Sequence, residues 1–143
     1  MTTKTFIFLK PDAIERKLAG KIISRFEEKG FSIVEFRCVV ATSALLESHY
    51  AEHKEKPFFT GLVNALVGKT VVCIVWQGST NIVSQVRTMI GDANPEKRLP
   101  GTIRGDYSSE LVSNLIHSSD SAEAVKREIE IWLPFTAAAP SPH

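Results

Sequence analysis

Three apolar runs alternate with amphipathic segments along this chain, and that alternation limits the possible folds more than any other sequence feature. The runs are Thr5–Leu9, Phe31–Val40 and Thr70–Trp76, and their β-branched and aromatic residues predict strands. Leu115 and Ile116 indicate the end of a fourth, shorter strand. Because helical periodicity separates the runs, the sequence favours an α/β structure with helices packed on a sheet of about four strands.

Polar caps, prolines and glycines mark the predicted helices between these strands. We predict one helix from Leu18 to Gly30, one capped by Ser43 and running through His53, one from Pro57 to Gly68, one capped by Ser79 and closed by Gly91, and one from Ser121 to about Trp132. Residues 92–113 show little periodicity, and a loop of that length inside a domain is typical of a functional or mobile segment.

The 143 residues are expected to form a single domain, with a loosely ordered tail from Pro134 to His143. With 17 basic and 16 acidic residues the net charge is +1, which argues against nucleic-acid or membrane-surface binding as the main role. No signal peptide or membrane-length apolar stretch is visible, so we expect a cytoplasmic protein. Cys38 and Cys73 lie in apolar runs and are predicted to be buried free thiols.

His117 is the strongest candidate for a chemically reactive residue in this sequence. It is predicted to lie between a strand end and a helix N-terminus, with Asp120 and Glu123 forming a capping box. Such a position favours a bound anion and an unprotonated ring that can act as a nucleophile. Glu128 falls on the apolar face of the same helix, together with Val125, Ile129 and Trp132.

A carboxylate on an apolar helix face needs a partner, and His117 is a candidate. If one ring nitrogen donates its proton to Glu128, the other is fixed as the nitrogen with a free lone pair. The alternative is that His117 is an ordinary core histidine and that Glu128 reaches water.

Two familiar motifs do not account for this chain. Gly68-Lys69-Thr70 resembles the end of a phosphate-binding P-loop, but Val63 stands where that motif needs glycine, and the segment closes a helix and opens a strand. His49 and His53 have metal-ligand spacing but lack the glutamate after the first histidine that the zinc protease motif requires, so a helix face lining a polar cleft is favoured.

Without a glycine-rich loop, a phosphate chain must be held by side chains. The candidate donors are Lys10, Tyr50, His53, Arg87 and Arg104. Taken singly, each is better explained as a solvated charge or a helix-surface pair. Two arginines beside a neutral histidine would, however, suit phosphoryl transfer, because the planar guanidinium binds phosphate oxygens in pairs.

Several motifs together resemble those of the nucleoside diphosphate kinase family. They cover residues 4–133 in unbroken order, and their combination is highly specific. The motifs are Lys10-Pro11-Asp12, Arg25-Phe26-Glu27, Lys29-Gly30-Phe31, His49-Tyr50, Lys56-Pro57-Phe58-Phe59, Gly101-Thr102-Ile103-Arg104-Gly105-Asp106 and Asn114-x-x-His117-x-Ser119-Asp120-Ser121.

The resemblance implies a ferredoxin-like α/β sandwich of βαββαβ topology, with a four-stranded antiparallel sheet covered by helices. It also implies an enzyme that moves the γ-phosphate of a nucleoside triphosphate, typically ATP, to a nucleoside diphosphate through a phosphohistidine. The expected assembly is a hexamer or tetramer built from a common dimer.

The resemblance also implies roles for individual residues. His117 matches the phosphorylated histidine, and Glu128 and Ser119 match residues that orient it. Lys10 and Asn114 match contacts to the ribose 3′-hydroxyl, with Lys10 also near the transferred phosphate.

Tyr50, His53, Arg87 and Arg104 match contacts on the phosphate side. The base would lie between Phe58 and Leu111, with Leu62 beside them, and apolar contacts of that kind imply broad base tolerance. Mg²⁺ would be held mainly by the phosphates, with Asp120 nearby through water.

Two residues depart from the family pattern. Ser118 stands where the family usually has glycine or alanine, which adds a small side chain beside the reactive ring. Ala93 stands where the family commonly has a threonine whose hydroxyl meets a diphosphate oxygen. Losing such a hydrogen bond costs about 1.5 to 3 kcal/mol, which predicts weaker nucleotide affinity and an affinity gain from Ala93→Thr.

A second function stays open at this point. The same fold could serve as a binding or regulatory protein, with Ser118 and Ala93 marking eroded catalysis. Retention of the charged and polar site residues argues against it, because a relaxed site has no physical reason to keep a buried carboxylate beside a histidine.

Overall fold

The computed structural model describes residues 2–111 and 113–134. Apart from Pro134, the predicted loose tail lies outside these residues. The strands are β1 (Thr2–Leu9), β2 (Ser32–Val40), β3 (Thr70–Ser79) and β4 (Ile116–Ser118). The helices are α1 (Pro11–Glu15), α2 (Ala19–Glu28), α3 (Ser43–His49), α4 (Phe59–Leu66), α5 (Ile82–Ile90), α6 (Ile103–Tyr107) and α7 (Ala122–Trp132), with short 3-10 turns at Ala51–His53 and Pro95–Lys97.

The four strands form one antiparallel sheet in the order β2-β3-β1-β4, so β2 and β4 are its edges. This order and the βαββαβ connections confirm the predicted ferredoxin-like fold. β1 and β3 are buried on both sides because helices cover both faces of the sheet. One core lies against α2 and α5 and includes Phe26, Trp76 and Val86, and the other lies against α3, α4 and α7 and includes Phe8, Leu46 and Trp132.

Helix ends differ from the predictions by one or two residues. The caps are Thr42 for α3, Asn81 for α5 and Ser121 for α7, in place of Ser43, Ser79 and Asp120. Ser121 Oγ accepts from the N–H of Ala124, so the predicted capping box starts one residue too early. Several neighbouring polar residues could serve as caps, and periodicity does not choose between them.

Three further predictions are wrong in segments whose conformation depends on contacts with distant parts of the chain. α3 ends at His49 and a 3-10 turn carries His53, so the two histidines do not share one helix. Leu115 has φ of 77° and precedes the strand rather than ending it. The segment 92–113 contains α6 and is less irregular than predicted.

Cys38 is exposed on edge strand β2, which contradicts the predicted burial, whereas Cys73 is buried on β3; both thiols are free. No helix in the described part of the chain combines the length and apolar character needed to cross a membrane.

Candidate active site

His117 lies within β4, opposite Phe8 of β1, and not after the strand end as predicted. Its ring stacks on Phe8 at a centroid distance of 4.9 Å and meets the edge of His49 at 4.4 Å. These contacts fix the plane of the ring, while 22% of the side chain stays exposed at a cavity of about 230 Å³. The ring is therefore held rigidly but is open on one side.

Glu128 reaches His117 from α7 and is 4% exposed. Its Oε1 atom lies 2.8 Å from His117 Nε2 and accepts a second hydrogen bond, of 2.7 Å, from Ser119 Oγ. Burial alone raises the pKa of this carboxyl, but the hydrogen bond from His117, the electrostatic attraction of that ring and the hydrogen bond from Ser119 together outweigh it, and the pKa is lowered overall. Glu128 is therefore almost completely buried and makes the predicted contact with His117.

The carboxylate decides which nitrogen of His117 is available. An ionised carboxylate can only accept hydrogen bonds, so Nε2 must carry the proton that it donates to Glu128. In a neutral ring the lone pair then belongs to Nδ1. The arrangement presents Nδ1 as the nucleophilic atom.

His49 is a site residue that sequence reasoning placed only on a polar helix face. It is 4% exposed, and its Nδ1 accepts a 3.1 Å hydrogen bond from Trp132 Nε1. Burial, with a further contribution from nearby His117, lowers the pKa of His49 to about 3. His49 is therefore neutral, and its ring, fixed by Trp132, packs against the ring of His117.

We expect His49 to make stability depend on pH. In the unfolded chain its pKa is near 6.5, against about 3 when folded, so the unfolded state binds the extra proton between these values. The contribution of His49 to the free energy of unfolding is therefore complete well above pH 6.5. It decreases as the pH drops, by about 2 kcal/mol at pH 5.

Urea unfolding at pH 7.5 and pH 5, at one fixed protomer concentration, measures this loss in the wild type and in His49→Gln. We expect the variant to show a smaller difference between the two pH values, even if lost packing lowers its stability at both. An equal pH difference in the two proteins would contradict the assignment.

The outer edge of β4 holds both predicted phosphate-binding arginines. Arg87 Nη1 on α5 donates to the carbonyl of Ser118 at 3.1 Å, and Arg104 Nη2 on α6 donates to that of Ile116 at 2.6 Å. Arg104 also donates to the carbonyls of Asn114 and Gly91. Since a guanidinium has five N–H groups and Arg104 donates three to carbonyls of the described residues, two remain that a ligand could accept. Burial, and then the nearby Arg98 and Arg87, lower its pKa to about 10.

The cavity at His117 gathers most of the predicted residues. Those that line it are Tyr50, His53, Arg87, Ala93, Arg104, His117, Asp120 and Glu128. Burial raises the pKa of Tyr50 to about 12, so its hydroxyl keeps its proton and can donate. The cavity thus combines the His117 ring with cationic and neutral hydrogen-bond donors, a combination that suits a phosphate group.

Lys10 and Leu62 line a smaller, adjoining cavity of about 80 Å³, and Tyr50 is common to both. Burial, and then the charge of Arg104, lower the pKa of Lys10 to about 8. Asn114 is 6% exposed, and its side-chain N–H donates to the carbonyl of Leu111, while its Oδ1 has no hydrogen-bond partner among the described residues.

The predicted base-binding pair lies on the surface. Phe58 is 50% exposed and its ring is 5.3 Å from that of His53, while Leu111 is 62% exposed. Neither residue lines the two cavities above. A base between them stays a prediction.

Arg98 is a residue whose role was not predicted. Its guanidinium donates to the carbonyls of Asp92, Ala93, Ser108 and Glu110. It therefore ties both ends of the loop around α6 together, which keeps Arg104 in place.

Two groups bear on metal binding. Ligand atoms of His49, His117 and Glu128 lie within 4.8 Å of one another, but imidazole nitrogens suit zinc better than magnesium, and hydrogen bonds already occupy His117 Nε2 and His49 Nδ1. Asp120 is an exposed carboxylate at the arginine-lined cavity. Mg²⁺ is usually held by one or two carboxylates together with substrate phosphates, so Asp120 fits that ion.

Comparison with known proteins agrees with this geometry. The family model described as nucleoside diphosphate kinase matches residues 3–137. The nucleoside diphosphate kinase of Acaryochloris marina is 47% identical over 129 residues, which cover 90% of this chain and 86% of that protein. Nucleoside diphosphate kinase 3 of Danio rerio is 48% identical, with 90% and 76% covered.

Solved structures are similar over the same length. The apo nucleoside diphosphate kinase of Encephalitozoon cuniculi gives a TM-score of 0.89 at 40% identity, covering 96% of this chain and 93% of that one. The enzyme of Halobacterium salinarum in complex with CDP gives 0.87 at 41% identity, with 92% and 87% covered. This chain therefore belongs to the nucleoside diphosphate kinase family of phosphotransferases.

Proposed function

We propose that this protein transfers the γ-phosphate of a nucleoside triphosphate, typically ATP, to a nucleoside diphosphate in two steps through a phosphohistidine on His117. The observation that supports this most is the 2.8 Å contact between Nε2 and buried Glu128, which leaves the lone pair on Nδ1 of a ring that lines an arginine-containing cavity. In the first step Nδ1 attacks the γ-phosphorus and the nucleoside diphosphate leaves. In the second, the terminal phosphate oxygen of another diphosphate attacks the phosphohistidine and frees Nδ1.

The surrounding residues have the chemistry that this transfer needs. Arg87 and Arg104 place positive charge beside the oxygens of the transferred phosphoryl group. Because main-chain carbonyls hold both guanidinium groups, these side chains need little reorganisation during the reaction. Glu128 balances positive charge on the ring as it is phosphorylated, and Ser119 keeps the carboxylate in position.

Lys10, whose pKa is near 8, and the Tyr50 hydroxyl are proposed donors to the phosphates. Asn114, whose Oδ1 accepts no hydrogen bond within the described part of the chain, is a proposed acceptor for a ribose hydroxyl. We further propose that Phe58 and Leu111, with Leu62 nearby, contact the base through apolar surface, which would give broad tolerance for different bases.

Asp120 would hold Mg²⁺ through water while the phosphates supply most ligands. When bound, this ion neutralises phosphate charge and orients the phosphate chain.

Labelling with γ-labelled ATP tests the proposal. We expect label on tryptic peptide 105–126, whose only histidine is His117. The label should be lost in acid, survive base and pass to unlabelled nucleoside diphosphate. A folded protein that takes up no label would instead support the alternative of a binding or regulatory protein with reduced catalysis.

We also propose a homo-oligomer built from a dimer, either a hexamer or a tetramer. Edge strand β2 presents an unpaired main-chain edge and exposed Ile33, Val34, Phe36 and Val40. An edge of this kind is an association site unless it is covered. A second copy of the chain is the proposed occupant.

Phe36→Glu is expected to shift the mass in solution from an even multiple of the protomer towards the protomer itself. Sedimentation velocity measures this shift, and a wild type that is monomeric would refute the assembly.

A cytoplasmic location is proposed as well, since the exposed free thiol of Cys38 suits a reducing compartment, and cell fractionation would test it.

A further inference from the structure

Ser118 contacts Arg87, and its side chain is on the opposite face of β4 from that of His117. It is 6% exposed and lines both the cavity at His117 and a neighbouring cavity of about 510 Å³. The residues common to both cavities are Arg87, Ala93, Arg104 and Ser118. Ser118 is therefore at the junction of the two spaces, next to the groups proposed to bind phosphate.

The Ser118 hydroxyl has no acceptor for its proton among residues 2–111 and 113–134. Its oxygen lies 3.5 Å from Arg87 Nη1, where it can only accept, while the Ser118 carbonyl takes the shorter bond of 3.1 Å from the same nitrogen. A hydroxyl is both donor and acceptor, so its donor is left for another partner. Beside two guanidinium groups, the partner favoured by charge is an anionic oxygen.

Ala93 lines the same two cavities with a methyl group that cannot donate. Its carbonyl accepts a 2.8 Å hydrogen bond from Arg98 Nη2, so its main chain is fixed. The resemblance described above implies a threonine hydroxyl at position 93 and no hydroxyl at position 118. The cavity at His117 thus contains both positions that depart from the family pattern. Position 93 lacks the expected hydroxyl, and position 118 has an additional one.

We propose that Ser118 is a phosphate-binding residue whose hydroxyl donates a hydrogen bond to a diphosphate oxygen of the bound nucleotide, in place of the hydroxyl that Ala93 lacks. This rests on the proposed function, because it needs a nucleotide in the cavity at His117. Nucleotide affinity is then not weakened by Ala93, because the Ser118 hydroxyl supplies the hydrogen bond that a hydroxyl at position 93 would make.

A double-mutant cycle of Ser118→Ala, Ala93→Thr and their combination tests the proposal. Calorimetry with a nucleoside diphosphate gives Kd without turnover, and steady-state exchange gives KM and kcat. Ser84→Ala is the matched control, because that serine is on the same helix as Arg87 but its hydroxyl donates to the carbonyl of Asn81, away from the site. Alanine at position 118 adds no bulk, so folding should be preserved.

We expect Ser118→Ala to raise Kd and KM about tenfold to a hundredfold with a much smaller change in kcat. Ala93→Thr should change Kd less than about threefold in the wild type yet recover most of the loss in the Ser118→Ala background. Ser84→Ala should match the wild type.

Equal effects of Ala93→Thr in both backgrounds, or an unchanged Kd in Ser118→Ala, would overturn the proposal while leaving the phosphotransfer function intact. A wild type that binds no nucleoside diphosphate would instead refute the proposed function itself. The two failures are therefore distinguishable.

Discussion

Replacing His117 by alanine is expected to remove phosphoprotein formation completely and to lower nucleotide exchange at least about ten-thousand-fold, the scale on which enzymes lose activity with their nucleophile. The reason is that, within the proposed mechanism, Nδ1 of this ring bonds to the transferred phosphorus. Acid-labile label on the protein and coupled exchange assays measure the two effects.

Nucleotide binding provides the control for His117→Ala. Arg87 and Arg104 are held by the carbonyls of Ser118 and Ile116, which do not depend on the imidazole. The Kd for a nucleoside diphosphate should therefore stay within a few-fold of the wild type. Robust exchange by the variant would show that the phosphoryl group takes another route.

Glu128→Gln is expected to have the second largest effect. The amide has nearly the same shape, but its nitrogen can donate to Nε2 and so favour the ring form with the proton on Nδ1, where no lone pair remains for attack. Exchanging a carboxylate for an amide beside a catalytic histidine costs about 10⁴ in rate in serine proteases, and we expect a loss of about 10² to 10⁴ here. Single-turnover labelling from ATP measures the rate of the first step.

Glu130→Gln is the matched control, since it makes the same chemical change on an exposed position of the same helix. It should label at the wild-type rate. If Glu128→Gln labels within a few-fold of the wild type, then the carboxylate does not select the ring form, and the assignment of Nδ1 fails.

The parts of the site that repeat along one helix were predictable from the sequence. Val125, Glu128 and Trp132 are buried on one face of α7, as their spacing predicted. A carboxylate on such a face needs a partner nearby, which is why its contact with His117 could be anticipated.

Contacts between distant segments were not predictable in this way. His49 meets Trp132 across 83 positions of sequence, and no local pattern encodes that pairing. Arg98 is one of several cations in a loop, and only the folded chain distinguishes it as the residue that joins the loop ends. Cys38 lies in an apolar run like Cys73, but only the order of strands decides that its strand is at an edge.

The guanidinium groups on the outer carbonyls of β4 have a consequence for solubility. A bare strand edge is a template on which further chains add, the route by which sheets grow into fibres. Here Arg87 and Arg104 occupy the carbonyls of Ser118 and Ile116, so a strand added at this edge would have to displace these hydrogen bonds and cover two charged groups. The same two side chains that are proposed to receive phosphate therefore also protect this side of the protein against aggregation.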